Sequence, residues 1–136
     1  MSDATWASLG PVLSTSDLMR VTGMKEVTVW RWLKRGTLPG HVISGSWIVY
    51  REEVRAKIDD PEKQPLEPVE FLSTFDDVVK IEEAELLFGK TRQTIYKWLS
   101  QGAIPGHQMG VSWVLYRDEL RECLVAASNQ SPSPAS

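Results

Sequence analysis

One stretch of this chain is written twice, and that constrains its fold more than any other feature. Residues 28–41 read Thr-Val-Trp-Arg-Trp-Leu-Lys-Arg-Gly-Thr-Leu-Pro-Gly-His, and residues 94–107 read Thr-Ile-Tyr-Lys-Trp-Leu-Ser-Gln-Gly-Ala-Ile-Pro-Gly-His. The offset is 66 residues throughout, without a gap. Thr28, Trp32, Leu33, Gly36, Pro39, Gly40 and His41 recur as Thr94, Trp98, Leu99, Gly102, Pro105, Gly106 and His107. Self-similarity at a fixed spacing marks one structural unit used twice.

The order of residues inside the unit predicts its elements. Val29, Trp32 and Leu33 fall at i, i+3 and i+4, the spacing of one buried helical face. Trp30, Arg31 and Lys34 fall off that face. Gly36 stops the helix, because only glycine takes the left-handed conformation cheaply. Pro39-Gly40 forces a turn. His41-Val42-Ile43, a Ser44-Gly45-Ser46 turn and Trp47-Ile48-Val49-Tyr50 then predict a short hairpin. A charged helix from Arg51 to Ile58 closes the unit. Ahead of all this, Ser14 with Asp17 fits a capping box, and Leu18, Met19 and Val21 supply a first helix with an apolar face. The second copy opens with Ile81–Phe88, a helix ending at Gly89. Thr91 caps the helix after it, where the first copy has Lys25, a poor cap.

These signals divide the chain into a lead-in (1–12), a first unit (13–58), an acidic proline-containing linker (59–78), a second unit (79–124) and a tail (125–136) read as disordered. The lead-in reads as unanchored, with Trp6 the one residue there that has reason to pack on the first unit. Phe71, Leu72 and Phe75 interrupt the linker pattern and are expected to form a short extra element against the second unit. Each unit is only about 45 residues, near the lower limit for a core of its own. Six tryptophans offset this, and four of them stand at matched positions, Trp32 with Trp98 and Trp47 with Trp113. Both Trp32 and Trp98 are expected to be buried.

Charge is unevenly spread. The formal net charge is −3, which argues against a strong nonspecific grip on nucleic acid. The first unit holds eight Lys/Arg against four Asp/Glu, the linker one against seven, and the second unit six of each. The single cysteine, Cys123, excludes an internal disulfide and a cysteine-based metal site. The N-terminus lacks the basic start and apolar run of a signal peptide. No apolar run approaches the ~20 residues needed to cross a bilayer. A reducing cytoplasm is the expected setting, with no membrane partner. Glu52-Glu53 and Glu82-Glu83 are sequence neighbours whose side chains diverge on a helix. With no phosphate loop, no metal-spaced cluster and no nucleophile beside a base, no catalytic residue, cofactor or metal site is expected, and no enzyme.

Helix, tight turn, helix, hairpin, helix is the pattern of a winged helix-turn-helix. The expected fold class is therefore mainly α with small β-hairpin wings, as two tandem units. The pattern resembles the excisionase-like branch of the MerR-type winged helices of phage and mobile elements. The residues that carry the resemblance are Ile81-Glu82-Glu83-Ala84, Leu87-Phe88-Gly89, Thr91 to Leu99, Gly102, Ile104-Pro105-Gly106, Trp113 and Arg117-Asp118-Glu119-Leu120. Residues 79–124 match well and 13–58 less well.

The resemblance implies that the second helix of each unit enters the major groove of duplex DNA. By position this puts Arg92, Gln93, Tyr96 and Lys97 in the groove from the second unit, and Glu26, Val27, Trp30 and Arg31 from the first. Arg pairs with guanine and Gln with adenine through paired hydrogen bonds, so the second set is chemically apt. Thr28 and Thr94 are placed to donate to phosphate. Arg31, Lys34 and Arg35 crowd the end of their helix, either as backbone contacts or as charge that suits a helix C-terminus. The wings depart from the family, since Ser46 and Ile48 flank Trp47, and Ser112 and Val114 flank Trp113, where arginines are usual. His41 and His107 begin the wings, placed either to touch phosphate or, the reading preferred because both follow the same Pro-Gly turn, to act as hydrogen-bonding structural residues.

The implied role is sequence-specific binding of double-stranded DNA, as an excisionase-like recombination directionality factor or a transcription regulator, with a recombinase (integrase) or RNA polymerase as partner. A protein-interaction adaptor and the DNA-recognition subunit of a packaging enzyme are the competing readings. The oligomeric state is left open.

Overall fold

The computed structural model describes residues 2–60 and 71–130. The first unit runs α1 (Asp3–Ala7), β1 (Val12–Leu13), α2 (Thr15–Thr22), α3 (Glu26–Arg35), β2 (His41–Ile43), β3 (Ser46–Tyr50) and α4 (Arg51–Asp59). The second runs a 3-10 turn (Phe71–Thr74), β4 (Val78–Val79), α5 (Ile81–Phe88), α6 (Arg92–Gln101), β5 (His107–Met109), β6 (Ser112–Tyr116) and α7 (Arg117–Ala127). Two three-stranded antiparallel sheets result, in the orders β1-β3-β2 and β4-β6-β5. The fold is thus mainly helical with β wings, in two tandem helix-turn-helix units.

The local signals act as their chemistry predicts. Ser14 Oγ accepts from the Asp17 amide at 3.1 Å, and Asp17 Oδ2 accepts from the Ser14 amide at 3.0 Å. Thr91 Oγ1 accepts from the Thr94 amide at 3.3 Å, whereas Lys25 caps α3 without a side-chain bond. Gly36 and Gly102 end α3 and α6 at φ of 80° and 74°, a region that side chains with a Cβ rarely enter.

The units begin earlier than the helical signals suggest. Trp6 and Leu9 are buried in the first core, and Val12–Leu13 pairs with β3. Arg51 donates through Nη1 to the Leu9 carbonyl at 2.6 Å, and the Arg55 guanidinium lies over the Trp6 ring and pairs with Asp3. So the described part of the expected lead-in, residues 2–12, is anchored on the first unit. The second unit repeats the arrangement 66 residues on: Leu72 and Phe75 are buried, and Arg117 Nη1 donates to the Phe75 carbonyl at 2.7 Å. Residues 71–78 of the expected linker therefore belong to the second unit, as Phe71, Leu72 and Phe75 suggested. The proline-rich part, 61–70, lies outside the described residues.

The units do not stand apart on a tether. Ile43, Ile48 and Tyr50 from the first sheet lie in one apolar cluster with Leu87, Trp98 and Leu124 of the second unit. The Tyr50 hydroxyl donates to the Leu87 carbonyl at 2.6 Å. Burial, helped by the Glu53 charge, pushes that hydroxyl well above the ordinary tyrosine range. His41 is fully buried, with Nδ1 2.7 Å from the Leu124 carbonyl and Nε2 2.8 Å from Glu53.

Beyond α7 the chain returns to the first unit. Asn129 Nδ2 donates to the Leu33 and Leu38 carbonyls, both at 2.8 Å, and Asn129 Oδ1 accepts from the Gly40 amide at 3.0 Å. Gln130 Nε2 donates to the Gly36 carbonyl at 2.7 Å, and Lys57 donates to Gln130 Oε1 at 3.1 Å. The expectation of a disordered tail from 125 therefore fails for 125–130. These polar side chains bond the Leu33 carbonyl in the last turn of α3, which also accepts from the Gly36 amide at 3.3 Å, and the Gly36 and Leu38 carbonyls of the loop that follows. Residues 131–136 lie outside the described residues.

The matched tryptophans also differ. Trp98 is buried, edge-on to Phe88 with ring centres 5.9 Å apart. Trp32 is only half-buried and lines an open groove. Trp98 shares its cluster with Ile43, Ile48 and Tyr50 of the first sheet and has Phe88 at its edge, whereas the groove beside Trp32 is open and Thr22 stands where the second unit has Phe88.

Candidate nucleic-acid interface

Helices α3 and α6 present the residues that the sequence singles out. In α6 the inward face is Ile95, Trp98 and Leu99, all buried. That packing turns Arg92, Gln93, Tyr96 and Lys97 outward, and all four are exposed. Gln93 and Lys97 thus offer an amide and an ammonium on one accessible helix face. Arg92 is exposed but engaged, with Nε 3.3 Å from Glu85 and Nη2 3.6 Å from Glu82 on α5. Ion pairs this open are worth about 0–1 kcal/mol, so a phosphate or guanine competes readily for the guanidinium. Thr94 is half-buried, and its hydroxyl lies 3.1 Å from that of Thr91 at the helix start.

In α3 the inward residues are Val29 and Leu33. Glu26, Val27, Arg31, Lys34 and Arg35 are exposed, and Thr28 is half-buried. Trp30 is not free in the way its counterpart Tyr96 is. It packs against the first core, its indole N–H donates to Glu26 at 3.2 Å, and it lines a cleft of about 550 Å³. The other walls of that cleft include Gly45 and Trp47 from the first hairpin and Gly89 and Lys90 from the turn of the second unit. The structure therefore brings Arg92, Gln93, Tyr96 and Lys97 together on one face, but sets Trp30 beside the neighbouring unit. Lys34 and Arg35 occupy the last turn of α3, where the helix dipole favours cations.

Lys25, exposed at the start of α3 beside Glu26 and Val27, reads from sequence only as a poor cap. It stands one residue before the positions expected in the groove, the signal by which the sequence could have singled it out. His41 and His107 are placed as structural residues, each bonded through Nε2 to a glutamate twelve residues on, Glu53 at 2.8 Å and Glu119 at 2.7 Å. Among the described residues no cluster of three or more His, Cys, Asp or Glu could hold a metal ion. No described helix is long and apolar enough to cross a membrane. Cys123 is half-buried, and burial pushes its thiol up, away from the reactive thiolate.

A family model described as a helix-turn-helix domain matches residues 12–59 and again residues 78–124. No curated protein and no solved structure matches the chain.

Proposed function

We propose, for a chain that belongs to the helix-turn-helix domain family through both of its units, that it reads duplex DNA with α3 and α6 held as one body. The observation that carries this is the outward face of α6, where Gln93, Tyr96 and Lys97 are exposed beside a loosely held Arg92. Gln93 suits adenine and Arg92 guanine through paired hydrogen bonds, while Lys97 neutralises phosphate. Lys25, Arg31, Lys34 and Arg35 add backbone contacts from α3. The role is that of an excisionase-like recombination directionality factor or a transcription regulator of a phage or mobile element. It acts by binding and shaping DNA for a recombinase or polymerase rather than by catalysis.

Two half-sites on one duplex are read at a spacing set by the packing of one unit on the other through the shared apolar cluster. Titration of selected duplexes at rising salt tests the reading. Lys97→Ala should weaken all sequences alike and lower the salt slope by about one, while Arg92→Ala should cost about 1–3 kcal/mol at one base pair. Absence of binding at low salt would overturn it in favour of a protein-interaction adaptor, the reading that exposed Met109 and Val111 on the second hairpin favour.

A further inference from the structure

The units meet through surfaces that both of them possess, and one surface of each kind is left over. On the first unit the joining face is Ile43, Ile48 and Tyr50, at 3%, 1% and 1% exposure. The 66-residue register places Met109, Val114 and Tyr116 on the same face of the second sheet. There Met109 is 66% and Tyr116 42% exposed. The chemistry around them is repeated too: each histidine meets its tyrosine edge-on at 5.4 Å, in both units. The outer edge of β2 is covered, since Ser128 bridges His41 and the Asn129 amide donates to the Gly40 carbonyl at 3.0 Å. All three residues of β5 are exposed. An apolar face beside an open edge is a surface that invites a partner.

The receiving side is duplicated as well. In the second unit Leu87, Trp98, Ile104 and Leu124 share the cluster that takes in Ile43, Ile48 and Tyr50. Their counterparts 66 residues earlier are Val21, Trp32, Leu38 and Ile58. These four line the open groove of about 580 Å³ that leaves Trp32 half-exposed. Leu87, whose carbonyl receives Tyr50, is the penultimate residue of α5, and Val21 is the penultimate residue of α2. Carbonyls at that position lack a partner inside their helix. Charge is complementary, with cationic Arg35 and Lys57 on the groove and anionic Asp118 and Glu119 following Tyr116.

We propose that a second copy of this chain docks in this groove. Its Met109, Val114 and Tyr116 take the places that Ile43, Ile48 and Tyr50 take within one chain, and the Tyr116 hydroxyl donates to the Val21 carbonyl. The occupant is a second copy because the fit is already realised once inside each molecule. The contact joins two different surfaces, so it does not close on itself and copies add head to tail.

Sedimentation of the full chain from micromolar to millimolar concentration tests this. The average mass should rise past the dimer. Met109→Asp and Ile58→Asp change exposed positions, and each alone should shift association to about tenfold higher concentration or beyond, about 1.4 kcal/mol. An equimolar mixture of the two should form dimers and stop there, since each variant keeps the surface the other lacks; that recovery also shows both are folded. A wild-type chain that stays monomeric throughout, or a mixture that stays monomeric, overturns the proposal. So does an Ile58→Asp variant that associates like wild type, which would mean the second sheet pairs with itself.

Discussion

Asn129→Ala should destabilise the whole molecule, although Asn129 lies beyond the last helix. Its side chain makes three hydrogen bonds to backbone of the first unit, at 2.8, 2.8 and 3.0 Å, all partly buried. A net worth of about 0.5–1.5 kcal/mol each gives a loss of roughly 2–4 kcal/mol, since three backbone groups are left poorly paired. With a urea slope of about 1–3 kcal/mol per molar, the midpoint should fall by about 1–2 M. Tryptophan fluorescence follows the transition, which should remain single because both units share one cluster. Asn129→Asp should be worse than alanine, since it keeps the acceptor for Gly40 but turns an anionic oxygen toward the Leu33 and Leu38 carbonyls. A loss below about 0.5 kcal/mol for alanine, or an aspartate milder than alanine, would refute the reasoning, because the net worth of even one such bond would then be missing.

Three further outcomes are expected. Trp98→Ala should cost about 3–5 kcal/mol and Trp32→Ala about 1–2 kcal/mol, because the second indole is already half in water; equal losses in denaturant melts would contradict the environments described. His41→Ala leaves the buried Glu53 carboxylate and the Leu124 carbonyl without their partner and should cost about 2–4 kcal/mol. His107→Ala breaks an exposed pair and should stay within about 0.5 kcal/mol, as thermal unfolding of the two variants will tell. The raised Tyr50 hydroxyl predicts a contribution to stability fully present below about pH 10 and lost as pH rises toward its higher folded value, because the unfolded tyrosine ionises first. Tyr50→Phe should remove that part of the alkaline slope, and an unchanged slope would count against it.

The core of each unit was legible because its signals are local. The i, i+3, i+4 spacing of Val29, Trp32 and Leu33, the Ser14–Asp17 box and the glycine stops each act within a few residues. The same 66-residue register pairs Trp6 with Leu72, Leu9 with Phe75 and Arg51 with Arg117. The first two pairs conserve bulk rather than identity, so the start of each unit is easily read as lead-in and linker. Asn129 and Gln130 gave no signal at all: their composition is that of a tail, and their partners are carbonyls about 90 residues earlier. Identical residues also hid different surroundings. Trp32 and Trp98 look alike until Thr22 and Phe88 are compared. On the outward faces the helical period placed Gln93, Tyr96 and Lys97, but the hold of Glu82 and Glu85 on Arg92 needed the approach of α5 to be known.

The clasp of Asn129 on the end of α3 also has a meaning for the order of events during synthesis. The first unit is translated early, yet the side chain that satisfies its Leu33 and Leu38 carbonyls is made 96 and 91 residues later. Ile43, Ile48 and Tyr50 likewise have no cover until Leu87, Trp98 and Leu124 of the second unit have been made, and a nascent chain carries them bare. Contacts of such long sequence separation form slowly, and exposed apolar faces are open to wrong partners in the interval. A ribosome stalled before Asn129 should therefore hold a first unit that proteases and chaperones recognise, and extension that brings Asn129 clear of the ribosome should end that recognition.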